Sequence, residues 1–526
     1  MPVAPVFLIG FPAAGKTSVG RGVAAALGRP FVDLDDAIAA AAGQPVPALV
    51  AADEPAFRQR EAAALATLAA RGDAPIVATG GGAAAHGDNL ARMRAAGAVI
   101  ALDVALDVAL ARVAPGSRPL LARPADEIAA LYRRRAPAYR RAHATIATAD
   151  QPLPQVVAAT VAAIARLEAT AARHPWVCLG DRSYPVIVDD GPLAAALAPW
   201  VRPGRHALVA DGNLAPWIAP VAAALTAAGA DLHVETVAPG EASKTLAEYG
   251  RLTAALVAAG LDRASTIFAL GGGVVGDLAG FVAATLYRGV DVVHLPTTLV
   301  AMTDSAIGGK TAVDLPAGKN LVGAFHQPRA VLAHLPTLAT LPPRERRAGF
   351  GELWKYALLD GEALWAAVEA LAPWAQTAAA PPPAAAPVIA AAATLKAAIV
   401  SADERERRGQ RLLLNLGHTV GHAIEAAADW QLLHGEAVGL GLIAAARISH
   451  RLGLASADLE PRVTAGLAAT GLPTALDPWL RPEVLARVAV DKKRTGGRLA
   501  FIACAAPGDC QVVDLPTTAI ADLLRP

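Results

Sequence analysis

Short apolar runs alternate with amphipathic stretches over the first 150 residues of the chain. The runs typical of buried strands are 6–10, 76–80 and 98–103. Between them, stretches such as 15–27 repeat apolar residues at the spacing of one helical face. This alternation predicts βαβ units around a parallel sheet. An Ala-rich helix is predicted over 156–172, and because Pro175 follows it closely, we place a domain boundary near residue 173.

A second alternating region follows this boundary. Its predicted strands are 206–211, 231–237, 266–272 and 290–296. Beyond residue 343 the strand pattern fades, and helices are predicted up to a late strand at 498–504. The sequence therefore predicts two α/β domains, 1–172 and 173–343, and a mainly helical domain, 344–526.

The charge of the chain is nearly balanced. Its 526 residues include 47 Lys and Arg against 46 Asp and Glu, a net charge of +1. This balance provides no electrostatic footprint for nucleic acid or an anionic membrane, so neither is expected as a partner. The basic residues are expected to act locally, in pockets that bind small molecules.

Apolar residues make up 54 % of the chain, which raises the question of a membrane. The longest charge-free run, 370–395, contains Pro373, Pro387 and three prolines at 381–383, which we expect to break any spanning helix. The stretch 372–388 is expected to be a loop or a poor helix. The N-terminus lacks the basic region of a signal peptide, and the three cysteines have neither disulfide nor metal spacing. A cytoplasmic protein is therefore expected.

The first chemical motif, GFPAAGKT, begins at Gly10 and fits G-x-x-x-x-G-K-[ST] between a predicted strand and a predicted helix. Glycines such as Gly10 and Gly15 let backbone N–H groups converge on phosphate oxygens, and the helix N-terminus adds its positive end. Lys16 is expected to reach the β- and γ-phosphates and Thr17 the Mg²⁺ ion, with Ser18 beside them. The motif thus predicts binding of ATP with Mg²⁺.

A pair of carboxylates follows at Asp33 and Asp35. Alternation along a short apolar run predicts that both lie on the same side of a strand. In phosphoryl transfer one carboxylate can support the Mg²⁺ shell while the other accepts the proton of the acceptor hydroxyl. A solvated turn or a helix cap is the alternative, since Asp36 follows directly.

Further polar positions follow in a characteristic order: Phe57-Arg58 with Glu61, the triple glycine 80–82, Arg118-Pro-Leu-Leu, and Arg135 ahead of Tyr139-Arg140. With the phosphate loop and the diacid, this order resembles shikimate kinase over residues 1–170. The alternative is another small-metabolite P-loop kinase, such as a gluconate or nucleoside monophosphate kinase, although those lack the combined order.

The resemblance implies roles for individual residues. Asp33 becomes the magnesium-side carboxylate, Asp35 the base at the shikimate hydroxyl, and Arg118 a lid residue that steadies the transferring phosphoryl group with Lys16. The implied shikimate contacts are Asp35, Arg58, Gly80, Gly81, Gly82, Arg118 and Arg135. Bidentate recognition by arginine suits a small carboxylic acid.

The second half carries a glycine motif and a histidine cluster. Gly271 to Gly276 satisfies G-x-G-x-x-G after a strand, which is a weak dinucleotide signal because it falls on a later strand of its domain. His418 and His422, at i and i+4, share one helical face, and His434 begins another predicted helix. With Glu352 they offer the two or three His and one Glu that hold a catalytic Zn²⁺.

Basic residues in apolar or glycine-rich contexts accompany this cluster: Arg288, Lys310, Lys319, Lys355, Lys396, Arg411, Lys492 and Lys493. A substrate with both a phosphate and a carboxylate would explain these basic residues. Together with LGDRSYP from Leu179, PGEASK from Pro239 and the Thr297-Thr298 pair, the set resembles 3-dehydroquinate synthase across residues 176–510.

This second resemblance implies Zn²⁺ on Glu352, His418 and His434, with Co²⁺ as a possible substitute. It places His422 at the substrate phosphate, although helical spacing alone would have made it a ligand. The implied NAD contacts are Asp211, Asn213, Glu241, Lys244, Gly272, Gly273, Asp277, Thr297, Thr298, Lys319 and Thr340. The implied substrate and catalytic residues are Asp304, Lys310, Asn320, Lys355, Lys396, Arg411, Asn415 and His422, with Arg288 near the phosphate.

The two resemblances imply a bifunctional enzyme: a kinase that makes shikimate 3-phosphate, followed by a synthase that converts 3-deoxy-D-arabino-heptulosonate 7-phosphate to 3-dehydroquinate and phosphate. The implied fold is a P-loop kinase domain, an NAD-binding α/β domain and a helical Zn-binding domain. A homodimer through the synthase half is also implied. The alternatives are another sugar-phosphate cyclase in the second half, or a scaffold whose kinase half binds nucleotide without catalysis.

Overall fold

The structure, a computed structural model, describes residues 4–113, 123–149, 151–169, 174–428, 431–489, 494–495 and 498–525. Contacts divide the chain into two units. Unit 1 is Met1–Ser183 with Ala397–Ala402, and unit 2 is Tyr184–Lys396 with Asp403–Pro526. The boundary predicted at residue 173 lies outside the described residues and stays a prediction.

Unit 1 alternates strands and helices in chain order. Its elements are β1 (Val6–Ile9), α1 (Lys16–Leu27), β2 (Phe31–Asp33), α2 (Leu34–Ala42), α3 (Val46–Ala52), α4 (Glu54–Ala69), β3 (Ile76–Ala78), α5 (Asn89–Ala96), β4 (Ala98–Asp103), α6 (Leu106–Ala111), α7 (Ala125–Arg140), β5 (Ala144–Ala147), α8 (Leu153–Ala169) and β6 (Trp176–Val177). Strands β1 to β5 form a parallel sheet in the order β2-β3-β1-β4-β5.

Strand β1 lies at the centre of this sheet and is buried on both faces. Val6 and Leu8 join the core beneath one face, and Phe7 and Ile9 join the core beneath the other. A strand covered on both faces reads as a continuous apolar run, which is why the sequence showed it clearly. The carboxyl end of β1 leads into the phosphate-loop motif.

Unit 2 begins with a second α/β region. Its elements are β7 (Tyr184–Asp189), α9 (Leu193–Leu197), β8 (Gly204–Asp211), α10 (Ala215–Ala227), β9 (Ala230–Val237), α11 (Leu246–Ala258), β10 (Thr266–Gly271), α12 (Gly273–Thr285), β11 (Asp291–Pro296), β12 (Lys310–Leu315), β13 (Gly318–Phe325) and β14 (Ala330–His334). Parallel strands run in the order β7-β14-β11-β10-β8-β9, and β12 and β13 form a separate antiparallel hairpin.

Helices dominate the rest of unit 2. They are α13 (Pro343–Asp360), α14 (Glu362–Ala375), α15 (Ala385–Ala402), α16 (His418–Ala427), α17 (His434–Arg451), α18 (Leu459–Ala469), α19 (Pro482–Ala489) and α20 (Thr517–Leu524), with strands β15 (Arg494–Thr495), β16 (Arg498–Ala506) and β17 (Asp509–Pro516) before α20. The predicted class, α/β followed by a mainly helical part, is confirmed. The strands β5, β6, β7, β12, β13, β14, β15 and β17 were not predicted. Strands β13 and β17 are mostly half-buried or exposed and carry little apolar signal.

The prediction for the charge-free run was partly wrong. Helix α15 begins at Ala385 and includes Pro387, which lies in the first turn, where a missing N–H costs no helical hydrogen bond. Among the described residues, α15 is the one helix long and apolar enough to cross a membrane by length and composition, and 78 % of that window is buried inside the protein. A buried core helix passes the same test, so this is weak evidence for a membrane span.

Candidate functional sites

The phosphate loop of unit 1 needs glycine at two positions. Gly10 has φ +145°, and a Cβ there would lie 2.5 Å from the carbonyl oxygen of Leu102; Gly15 has φ +92°. Lys16 is buried, and its Nζ donates to the carbonyl oxygens of Gly10 at 2.8 Å and Phe11 at 3.1 Å. The lysine thus lies across the loop, while Ser18 is exposed in the first turn of α1.

The two acidic residues behind this loop are linked through the backbone. The Thr17 hydroxyl donates to Asp33 Oδ2 at 2.8 Å, and Asp33 Oδ1 accepts from the Asp35 amide at 3.1 Å as the N-cap of α2. The alternation predicted here was wrong, because the strand ends at Asp33 and Asp35 lies in the first turn of the helix. Asp33 therefore does cap a helix, and it also contacts the residue expected to hold Mg²⁺.

The triple glycine after β3 leaves room for three charged side chains. A Cβ on Gly80 would lie 2.8 Å from Asp35 Oδ1. A Cβ on Gly82 would lie 2.9 Å from Arg58 Nη1 and 3.0 Å from Arg135 Nη2. The carboxylate and both guanidinium groups therefore converge on this loop, as a site for a hydroxy acid requires. Arg118 lies outside the described residues.

A buried carboxylate, Glu61, also belongs to this site, although the sequence analysis assigned it no role. It pairs with Arg58 at 2.9 Å, and a Cβ on Gly80 would lie 3.1 Å from its Oε1. Burial raises the pKa of Glu61, and the charge of Arg58 opposes that rise. Burial lowers the pKa of Arg135, and Arg58 adds to that effect. Glu61 therefore orients one of the two arginines.

In unit 2, the glycine motif lies where β10 meets α12. A Cβ on Gly272 would lie 3.2 Å from Thr298 Cγ2, and one on Gly273 would lie 3.2 Å from Ser305 Oγ. The Thr297 amide donates to the carbonyl oxygen of Gly271 at 3.0 Å. Four of the predicted NAD contacts thus meet at the carboxyl ends of β10 and β11 beside a helix N-terminus, which is the usual place for a ligand in an open parallel sheet.

A second group of predicted NAD contacts surrounds Lys244. This buried lysine donates to Asp277 Oδ2 and to Asn320 Oδ1, and its Nζ lies 3.9 Å from Glu241 Oε1. Burial alone would lower the pKa of Lys244, but the charge of Asp277 raises it, so the lysine stays cationic. The cluster therefore joins three predicted NAD contacts to Asn320, a predicted substrate contact.

Of the four remaining predicted NAD contacts, Lys319 lies in β13, and Asp211, Asn213 and Thr340 lie at short turns. Asp211 ends β8, and its carboxylate accepts from the Asn213 amide at 2.9 Å. Thr340 ends a 3₁₀ turn, and its hydroxyl accepts from Trp217 Nε1 of α10 at 2.9 Å.

Three helices bring the predicted metal ligands together: α13 carries Glu352, α16 carries His418, and α17 carries His434. Glu352 Oε1 lies 3.3 Å from His418 Nε2 and 3.1 Å from His434 Nε2, and one ligand atom of each residue lies within 4.8 Å of the others. His418 donates through Nδ1 to the carbonyl oxygen of Leu416 at 3.1 Å, which leaves Nε2 for a metal. The ligand atoms of His422, Glu425 and His434 also lie within 4.8 Å of one another and form a second possible set.

Buried charges hold this centre in a defined state. Burial would raise the pKa of Glu352, but Lys355 and His418 lower it well below its usual range. Burial would lower the pKa of His434, but hydrogen bonds to Glu352 and Glu425 raise it to about 10. The metal-free imidazole is therefore cationic, and a metal must displace a proton from it to bind.

Asp304 lies at the centre of the predicted substrate contacts. It accepts from Lys396 Nζ at 2.7 Å, lies 3.4 Å from Lys355 Nζ and accepts from the Tyr356 hydroxyl. Burial would raise the pKa of Asp304, but both lysines lower it. Tyr356 is buried and was missed, because nothing in the sequence shows which face of α13 it occupies relative to Asp304.

The other predicted anion ligands lie at the hairpin β12–β13 and the segment before α16. Glu406 forms an ion pair with Lys310, and its Oε1 also lies 3.6 Å from Arg411 Nε. Arg411 is 2 % exposed and donates to the carbonyl oxygens of Glu404 and Gly308. Arg288 is exposed with φ +70°, and Asn415 ends the 3₁₀ turn before α16.

Family models match most of the chain. The shikimate kinase model matches residues 12–165, and the N-terminal and C-terminal 3-dehydroquinate synthase models match 234–348 and 349–494. A 3-dehydroquinate synthase from Halorhodospira halophila is 45 % identical over 357 residues, which cover 67 % of this chain and 99 % of that relative. The chain belongs to the 3-dehydroquinate synthase family and carries a shikimate kinase domain. Both resemblances are confirmed.

Solved structures resemble the synthase part. A 2-epi-5-epi-valiolone synthase from Streptomyces hygroscopicus, with NAD⁺ and Zn²⁺ bound, is 29 % identical with a TM-score of 0.61 and covers 66 % of this chain and 97 % of its own. A 2-deoxy-scyllo-inosose synthase complexed with carbaglucose-6-phosphate, NAD⁺ and Co²⁺ is 27 % identical with a TM-score of 0.59, covering 67 % and 99 %. These cyclases share the fold, but the 3-dehydroquinate synthases are closer in sequence.

Proposed function

We propose that unit 1 transfers the γ-phosphoryl group of ATP to a hydroxyl of shikimate. The observation that supports this is the convergence of Asp35, Arg58 and Arg135 on the triple glycine, next to a phosphate loop. The two arginines would hold the substrate carboxylate through paired N–H donors. The hydroxyl would then lie against Asp35, which accepts its proton as the phosphoryl group arrives.

The phosphate loop supplies the other half of this reaction. Lys16 exchanges its contacts with the loop carbonyls for phosphate oxygens, and the N-terminus of α1 faces the same charge. Thr17 and Asp33 fit Mg²⁺ because both offer oxygen donors and already contact each other at 2.8 Å. A bound Mg²⁺ neutralises phosphate charge. Glu61 keeps Arg58 oriented throughout.

We propose that unit 2 acts on 3-deoxy-D-arabino-heptulosonate 7-phosphate with NAD and Zn²⁺. The donor set fits zinc: two imidazole nitrogens and one buried carboxylate oxygen from Glu352, His418 and His434. Gly272 and Gly273 fit the dinucleotide, because side chains there would fill the space beside α12. When bound, NAD accepts and returns a hydride, and Zn²⁺ polarises a substrate oxygen.

The side chains of unit 2 recognise both ends of such a substrate. Lys310 and Arg411 suit its phosphate, with His422 at the leaving oxygen, where it can hold a proton. Lys396 and Lys355 suit its carboxylate and hydroxyl groups, and Asp304 orients both lysines through its carboxylate. Asn320, Asn415 and Arg288 complete the proposed contacts.

The test is to assay the purified chain with each substrate separately, with and without a zinc-selective chelator in excess Mg²⁺. We expect shikimate phosphorylation to survive the chelator and 3-dehydroquinate formation to stop, because only the second site depends on Zn²⁺. Loss of both activities, or of neither, would contradict the assignment of metals. A cytoplasmic location and a homodimer through unit 2 are further proposals, which fractionation and light scattering of the full chain would check.

A further inference from the structure

Glu425, on α16, contacts residues of two different sites. Its Oε2 lies 3.3 Å from His434 Nδ1, and its Oε1 accepts from Lys319 Nζ at 3.0 Å. The side chain is only 7 % exposed. Each carboxylate oxygen therefore has a separate partner, and neither resemblance assigned the residue a role.

The two nitrogens of His434 face different carboxylates. Nε2 lies 3.1 Å from Glu352 Oε1, within the set that includes His418, and Nδ1 faces Glu425. A carboxylate only accepts, so Nδ1 carries the proton in the bond to Glu425. Without a proton, Nε2 has a lone pair free to bind a metal, and it lies beside Glu352 and His418. Histidine ligands are commonly held in this way by a second carboxylate.

Lys319 extends this contact to the dinucleotide side. It belongs to β13, and its Nζ lies 3.8 Å from Glu241 Oε1 as well as 3.0 Å from Glu425. Glu241 belongs in turn to the cluster around Lys244. A series of ion pairs therefore runs from the predicted metal ligand His434 through Glu425 to Lys319 and on to Glu241, both of which are predicted NAD contacts.

We propose that Glu425 is a positioning residue that directs His434 Nε2 to the metal and links metal binding to NAD binding through Lys319. This inference rests on the proposed metal and NAD sites. It makes Glu425 an acceptor for the imidazole rather than a ligand of the alternative set with His422. It also requires reciprocity: if NAD strengthens metal binding, the metal strengthens NAD binding by the same factor.

The test measures Co²⁺ affinity and the visible absorption of bound Co²⁺ in the full chain, with and without NAD. Glu425→Ala is expected to weaken Co²⁺ binding about 10- to 100-fold and to alter the absorption bands. Glu425→Gln keeps an oxygen for Nδ1–H but loses the charge that pairs with Lys319. It should therefore lose less Co²⁺ affinity than Glu425→Ala, and it should lose the effect of NAD. Lys319→Met should also remove the effect of NAD.

Glu436→Gln is the matched control, since it removes the charge of a similarly buried carboxylate two residues from His434 that binds Arg344, and its remaining oxygen can still accept from the Leu433 amide at the start of α17. It should leave Co²⁺ affinity and absorption unchanged. If the Glu425 variants match the wild type in Co²⁺ affinity, absorption and NAD effect, this inference is overturned and the proposed metal and NAD sites stand. Loss of Co²⁺ in Glu425→Gln as complete as in His434→Ala would also overturn it, because Glu425 would then be a ligand. A wild-type chain that binds no Co²⁺ would overturn the proposed metal site and this inference together.

Discussion

Lys396 Nζ lies 2.7 Å from Asp304 Oδ1 in the buried centre of unit 2. Burial lowers the pKa of Lys396 to about 8, and Asp304 opposes that effect only partly. The ammonium is therefore present below pH 8 and is lost above it, within the range in which an enzyme can be assayed. The neighbouring Lys355 behaves differently, because Asp304 and Glu352 overcome its burial and raise its pKa.

This difference predicts a pH effect on substrate binding by the synthase. If Lys396 binds the anionic substrate, the KM of the synthase for that substrate should rise as the pH increases through about 8, because the neutral amine no longer attracts a carboxylate. Lys396→Arg should move this rise to higher pH, because a guanidinium remains charged. The measurement is the KM for the heptulosonate phosphate from pH 6.5 to 9.5. A KM that stays constant across this range in the wild type would contradict the proposed role.

Asp35→Asn should nearly abolish shikimate phosphorylation while ATP binding persists. Loss of a general base costs about 10²- to 10⁴-fold in rate, or about 3–5 kcal/mol of barrier. Asp36→Asn, at the next position and exposed, is the control and should phosphorylate normally. The measurement is kcat for shikimate beside the dissociation constant for ATP. Wild-type turnover by Asp35→Asn would show that the residue merely belongs to a helix turn.

Two histidine variants can distinguish the metal ligands from the residues beside them. His434→Ala should lose zinc and synthase activity together, because a catalytic zinc needs three protein ligands. His422→Ala should retain zinc and turn over slowly, since it is expected at the leaving phosphate. Zinc content per purified chain decides between them, with kinase activity as the internal reference. Equal zinc loss in both variants would favour the set of His422, Glu425 and His434.

The kinase half is predicted to act without the synthase half. A fragment ending near residue 173 contains all of the predicted kinase residues. A fragment ending at Ser183 also keeps Trp176, which packs on the core of unit 1. The guanidinium of Arg166 lies over the Trp176 ring, 5.7 Å from its centroid. We expect the longer fragment to phosphorylate shikimate at the rate of the full chain and to unfold at a higher temperature than the shorter one. Inactivity of both fragments beside an active full chain would refute independent folding.

The sequence by itself determined the elements whose signal is local. Strand β4 was predicted with its exact limits, 98–103, because a strand buried on both faces is an unbroken apolar run. The phosphate loop was equally clear, since consecutive residues make it and its glycines have a backbone function. Local pattern was less reliable where context decides. Asp35 was expected on a strand but lies in the first turn of α2, and α15 has a proline in its first turn.

Only the tertiary structure decided which polar groups share partners. Glu61 and Asp35 both lie beside Gly80, Tyr356 donates to Asp304 from 52 positions away, and Lys319 donates to Glu425 from 106 positions away. Helical spacing placed His418 and His422 on one face, yet the contacts of His434 with both Glu352 and Glu425 arise from the packing of α13, α16 and α17. Such pairings depend on the angle and depth at which helices pack, which residue spacing within one helix does not contain.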